Sequence, residues 1–213
     1  MTTAFIDEYP MMHPALRRRI EARQERDASA LYDHLLSLRS QGALWEAIAD
    51  AGQISTEDIW NIGTAYTRMP PATAFKLGSL TGDDLKSYQW DATGSRLRLR
   101  SLVAMGHSPA RIARALRCDA GSVRKVLRGQ ETVSYSFRQE CVQLWECWWD
   151  KTPPVNSQAQ RAAMTKARQM AERGNWCCPA ALDEDEMDYP GYVCVARWLP
   201  ATGSGVATDY PLG

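Results

Sequence analysis

SPARIARALRCDAGSVRKVLRG, residues 108–129, places two helix starts eleven residues apart. Ser108 precedes Pro109, a capping hydroxyl followed by the one residue whose missing N–H costs nothing at the first helical position. Asp119 caps a second helix over 120–127, and Gly129 is placed to end it. Counted from Pro109, the apolar residues Ile112, Leu116, Cys118, Val123 and Val126 hold places 4, 8, 10, 15 and 18, and the small Ala113 holds place 5, where the helices cross. Two short helices packed this way form a helix-turn-helix. Arg117, at place 9, stands where glycine usually makes the left-handed turn.

Upstream, residues 95–105 carry Leu97, Leu99, Leu102 and Val103 with arginines between them, an amphipathic helix ended by Gly106. Downstream, a helix over 135–149 buries Phe137, Cys141, Leu144, Trp145 and Trp148. The whole unit has an earlier copy. Laying Gly42 on Gly106 sets an offset of 64 residues, at which Leu38 meets Leu102, Ile48 meets Ile112, Ala49 meets Ala113, Ile54 meets Cys118, Ile59 meets Val123, Ile62 meets Val126 and Leu80 meets Leu144. Gly52 is the mismatch, standing where the second copy has Leu116. The expected fold is all-α, with two tandem helix-turn-helix domains followed by a helix and a largely irregular acidic C-terminal segment. Residues 1–29 form an N-terminal helical arm, 30–88 the first domain, 93–150 the second, and 151–213 a linker, a helix capped by Ser157, and an acidic tail.

The 213 residues sum to zero net charge, but the charge is distributed unevenly. Residues 93–138 carry +8, whereas residues 30–92 and 139–213 carry −4 each. No apolar run approaches the about 18 residues of a membrane span, and the N-terminus lacks a basic region followed by an apolar one, so a cytoplasmic chain is expected. The cysteines at 118, 141, 147, 177, 178 and 194 show no Cys-x-x-Cys spacing and are read as reduced thiols. His13, His34 and His107 are isolated, and Cys177, Cys178 and Cys194 lack an evident fourth ligand, so neither metal nor cofactor is expected.

Val126-Leu127-Arg128-Gly129, then Val133-Ser134, then Ser136-Phe137-Arg138 resemble the helix-turn-helix modules of lambda-repressor-like and lactose-repressor-like regulators. No sugar-binding domain follows. Over residues 39–205, including Trp176, Pro179, residues 183–188 and Pro200-Ala201-Thr202-Gly203, the chain is similar to helix-turn-helix proteins of actinobacteria and their phages. That resemblance implies DNA binding and transcriptional regulation.

The residues themselves support a nucleic-acid partner. A helix over 120–127 laid in a major groove would turn Ala120, Gly121, Ser122, Arg124, Lys125 and Arg128 toward the duplex. Lys125 is assigned to guanine O6 and N7 and Ala120 to a thymine methyl, while Arg124, Arg128, Arg111, Arg114 and the Ser108 hydroxyl hold phosphates. The first copy has Glu57 and Asp58 where its reading helix would begin, leaving Thr56, Trp60 and Asn61 as readers, with Asn61 on adenine. Either it binds DNA, or it has become a module for packing and protein contact.

The Arg17, Arg18, Arg19 cluster fits a solvated helix better than a minor-groove arm. Trp145, Trp148 and Trp149 fit a core or a homodimer seam, and the acidic run at 183–188 a solvated strip, a mask over the basic domain, or a contact for a protein partner. No nucleophile elbow, phosphate-cradling loop or zinc-protease helix occurs, so the chain is not expected to be an enzyme. Two functions remain: a sequence-specific regulator of transcription, acting as a repressor and of phage descent, or a non-enzymatic DNA-binding assembly protein such as a phage packaging subunit.

Overall fold

A computed structural model describes residues 14–64 and 70–194. The Met1–Pro10 segment, His13 and Pro200-Ala201-Thr202-Gly203 lie outside the described residues. Among those described, the chain is all-α apart from one short ribbon. Its elements are α1 (Pro14–Ser40), α2 (Trp45–Gly52), α3 (Thr56–Thr64), α4 (Pro71–Gly78), β1 (Gln89–Asp91), α5 (Thr93–Ala104), α6 (Pro109–Ala115), α7 (Ala120–Leu127), β2 (Thr132–Ser134), α8 (Tyr135–Trp148) and α9 (Gln158–Arg173). A 3-10 turn, Pro179–Ala181, follows.

The 64-residue offset recurs in the backbone. Three pairs of helices, α2 and α6, α3 and α7, α4 and α8, start 64 residues apart. Gly42 and Gly106, at φ of 96° and 105°, end the preceding helices in the left-handed region that glycine enters without a Cβ clash. Gln53 and Arg117, at φ of 59° and 51°, turn the chain between each pair of short helices. Arg117 thus adopts the conformation expected of a glycine, and the amide after it repays part of the strain: Cys118 N–H donates to the Ala113 carbonyl at 3.0 Å, as Ile54 N–H does to Ala49.

Burial follows the same spacing. Leu35 and Leu99, Leu38 and Leu102, Ile48 and Ile112, Ile59 and Val123, Ile62 and Val126, and Leu77 and Cys141 are all buried. The first member of each pair lies in one apolar cluster and the second in another. The mismatch at Gly52 has a local reason, because a Cβ there would run into the Leu77 side chain. Leu77 fills the space from α4 that Leu116 fills from the chain beside α6.

A ribbon joins the two units. β1 and β2 pair antiparallel with Trp90 opposite Val133, and Ala43 bridges to Trp90 on its other side. Trp90 is buried, its indole N–H donates to the Leu85 carbonyl at 3.0 Å, and the Tyr135 ring lies 5.2 Å away. One residue therefore contacts the first cluster while its strand pairs with the second unit.

Two expected boundaries are not packing boundaries. The chain is helical without a break across residue 30, so arm and first unit share α1. Residues beyond 150 do not trail away either: α9 packs on α5, and Ala167, Ala171 and Met187 enter the second cluster. Ser157 starts α9 with a reciprocal capping box to Gln160, the cap expected at that residue.

Candidate nucleic-acid interface

The second pair of short helices is fixed at both starts by side-chain caps. Ser108 Oγ accepts the Arg111 N–H at 3.3 Å. Asp119 Oδ1 accepts the N–H groups of Gly121 and Ser122 at 2.6 and 3.1 Å, and its Oδ2 accepts the Ser122 hydroxyl at 2.5 Å. These bonds, that from the Ser122 hydroxyl foremost, hold the Asp119 carboxyl below the usual carboxylate range. A Cβ on Gly121 would meet Asp119 Oδ1 at 2.6 Å, so glycine is what lets the cap close. Among the residues expected to touch DNA, Ser108, Gly121 and Ser122 therefore already serve the helix ends. Ala120 packs against the second cluster rather than standing clear.

The cations separate into two groups. Arg114, Arg117, Arg124, Lys125 and Arg128 are exposed along α6, the turn and α7. The other five of the segment are engaged inside the chain. Arg98 makes a bidentate pair with Asp188 at 2.6 and 2.8 Å, and Arg138 meets the same carboxylate at 3.1 Å; all three side chains are largely buried. A Cβ on Gly94 would collide with that Asp188 carboxylate. Arg100 donates twice to the Leu127 carbonyl, at 3.1 and 2.8 Å, and lies over the Trp176 ring. Burial lowers the Arg100 and Arg138 guanidinium pKa values from their ordinary position. Arg96 donates to Thr93 Oγ1 and to the Gln130 carbonyl.

Arg111 is the fifth. Its guanidinium lies 4.8 Å over the Trp148 ring, whose indole also stacks on His107 at 4.6 Å. His107 is buried and its Nε2 lies 2.8 Å from the Lys151 carbonyl, an arrangement that ties the start of α6 to the end of α8. Desolvation lowers the His107 pKa from its ordinary value. Arg111, expected on a phosphate, is half-buried with its guanidinium against the tryptophan face. Trp145 is buried too, donating its indole N–H to Ser101 Oγ at 3.0 Å. Of the three tryptophans read as a homodimer seam, Trp149 alone is exposed, at 42 %.

In the first pair, Thr56 and Asn61 are half-buried on α3, whose buried residues belong to a different apolar cluster from those of α6 and α7. Ser55 and Asp58 cap α3 reciprocally: Asp58 N–H donates to Ser55 Oγ at 3.1 Å, and the Ser55 hydroxyl donates to Asp58 Oδ2 at 2.7 Å. Glu57 and Trp60 are exposed, Trp60 at 53 %, with Trp45 5.9 Å from it.

The acidic run divides. Residues 183–186 are exposed, whereas Met187 is buried and Asp188 is the shared counterion of Arg98 and Arg138. Cys177 and Cys194 are disulfide-bonded, which corrects the reading of six reduced thiols. The sequence showed neither their approach nor the loop that closes it. Cys141 is buried, and desolvation pushes its thiol up to about 12. Among the described residues no group of His, Cys, Asp and Glu is placed to hold a metal ion, and no helix is long and apolar enough to cross a membrane. Comparison with family models, with curated proteins and with solved structures finds no match.

Proposed function

We propose that this chain is a sequence-specific double-stranded DNA-binding regulator of transcription, built from two tandem helix-turn-helix domains and acting as a repressor of phage descent. The observation that carries the reading is the division of the cations: five of ten are ion-paired, stacked or hydrogen-bonded within the chain, and the five left exposed lie on one two-helix unit. A structural role would bury or pair such groups. Placed against a duplex, they displace counterions from phosphates, which supplies affinity in proportion to their number.

Within that reading α7 is the groove helix, capped by Asp119 and exposing Arg124 and Lys125 in its last turn and Arg128 at its C-cap. Lys125 reads guanine, and Arg114, Arg117, Arg124 and Arg128 position the helix on the backbone. Occupation of a promoter is enough to repress it. The runner-up, a non-enzymatic DNA-binding assembly protein, is favoured by the exposed acidic surface of α3, which suits protein contact better than phosphate. Crosslinking the full chain to its genome and recovering the DNA decides between them. Discrete promoter-proximal peaks are the expected result, and uniform recovery, or recovery of a packaging site, would replace the regulator with the assembly protein.

A further inference from the structure

The 64-residue correspondence permits a comparison of one face on two copies of the same unit. Where α6 and α7 carry Arg114, Arg124 and Lys125, α2 and α3 carry Asp50, Trp60 and Asn61. Where α7 has Gly121 as its second residue, α3 has the exposed Glu57. The backbone framework is shared, down to the left-handed residue between the helices, so the difference lies in the side chains the face presents. One copy of the face is cationic, and the other is acidic around an exposed tryptophan.

We infer that the acidic, tryptophan-bearing face of α2 and α3 docks the cationic face of α6 and α7 on a second copy of this chain. Three observations carry this. The faces are complementary in charge, within segments of −4 and +8. Trp60, 53 % exposed, sets an aromatic ring within that acidic face, and the chain packs guanidinium groups on tryptophan elsewhere, where Arg39 lies over Trp45 and Arg111 over Trp148. The acidic face is also a poor duplex surface, because Glu57 and Asp58 stand exposed at the helix start that would approach phosphates.

Each copy has one face of each kind, so the contact either closes as a twofold pair or continues as an open chain. Its regulatory consequence rests on the proposed DNA reading: self-association and duplex binding use the same cations and exclude each other. The contact itself does not depend on that reading.

Sedimentation of the full chain without DNA tests it. Association should be seen at about 50 mM salt and be lost at about 500 mM, since the attraction acts between exposed charges. Glu57→Lys and Trp60→Ala, both at exposed positions, should each weaken association at least about tenfold while circular dichroism stays unchanged. The decisive arm mixes two variants. Glu57→Lys spoils only the acidic face and Lys125→Glu only the cationic one, so each alone should sediment as one chain, and the mixture should form a one-to-one pair through the two intact faces. A single-chain mass for the wild type at low salt overturns the inference, as does a mixture that fails to pair. Neither result touches the DNA reading, which is judged separately by duplex titration. Pairing in the mixture, with no duplex bound by the wild type, would uphold the contact and remove the DNA reading.

Discussion

Gly52 and Leu77 share one space in the first unit, where a Cβ on the glycine would strike the leucine side chain. The corresponding positions 64 residues on hold Leu116 and Cys141, both buried. Large and small residues have thus exchanged places between two copies of one core, as close packing requires when total volume is conserved. Gly52→Ala should destabilise the chain by about 1–3 kcal/mol through overpacking, and adding Leu77→Cys should restore much of the loss. Urea denaturation of the two single variants and the double variant measures the coupling; additive effects would show that the two positions do not share space.

Arg117 combines a conformational cost with an exposed charge. Arg117→Gly should raise stability by about 0.5–1 kcal/mol, because glycine accepts the left-handed turn. It should also lower the slope of log affinity against log salt by about 1, because one phosphate contact is gone. Opposite signs in the two measurements on one variant distinguish a DNA-contacting turn residue from a merely strained one. A salt slope equal to the wild type would remove Arg117 from the interface.

Lys125 and Arg124 are adjacent and exposed but are assigned different roles. Lys125→Ala should cost about 1–3 kcal/mol on the preferred duplex and relax specificity at one base pair, whereas Arg124→Ala should weaken preferred and random duplexes alike. Competition titrations against both duplexes check this, and equal losses for Lys125→Ala on the two would cancel its reading role.

The Arg98–Asp188–Arg138 cluster predicts a large effect from a small change. Asp188→Asn leaves two buried guanidinium groups without a counterion and should destabilise the chain by about 3–5 kcal/mol. The thermal midpoint is the readout. Asp185→Asn, at an exposed position of the same run, should leave it unmoved.

His107 gives a pH dependence of definite sign. Its pKa in the folded chain is lowered from 6.5 by desolvation, so the native state holds the ring neutral while the unfolded chain takes up a proton first as pH falls. The stability this residue provides is complete above the ordinary imidazole value and declines as pH drops below it. His107→Gln should therefore be most destabilised relative to wild type near neutral pH, with the gap narrowing toward pH of about 5. Denaturation midpoints across that interval test it, and parallel curves would count against a lowered pKa.

The parts of this fold that were legible in the sequence are those with local causes. Ser108, Asp119 and Ser157 announce helix starts because a cap needs only its own next three residues, and the repeat spacing follows from apolar positions alone. Of the residues the sequence offers as DNA contacts, Arg114, Arg124, Lys125 and Arg128 are exposed. Arg98, Arg100 and Arg138 were not separable from them, since a buried arginine has the same local signature as an exposed one and its partner lies elsewhere: Asp188 is 90 residues from Arg98. Cys177 and Cys194 were misread as thiols because the loop that brings them together is irregular, with no periodicity to reveal it. A shared helix across residue 30 also left no sign, there being neither proline nor glycine to interrupt it.

Asp188 has a bearing on how the chain is made. Synthesis exposes α5 and α8 to solvent well before the carboxylate that neutralises Arg98 and Arg138 has left the ribosome. At about 5–20 residues per second, the interval from Arg138 to Asp188 lasts on the order of several seconds, during which the first unit already has every side chain of its own core. The nascent protein thus passes through a stage with one finished half and one half whose buried cations await an anion. A message cut short before this aspartate would leave that stage permanent, and its product would be marked for proteolysis by the half that could not close.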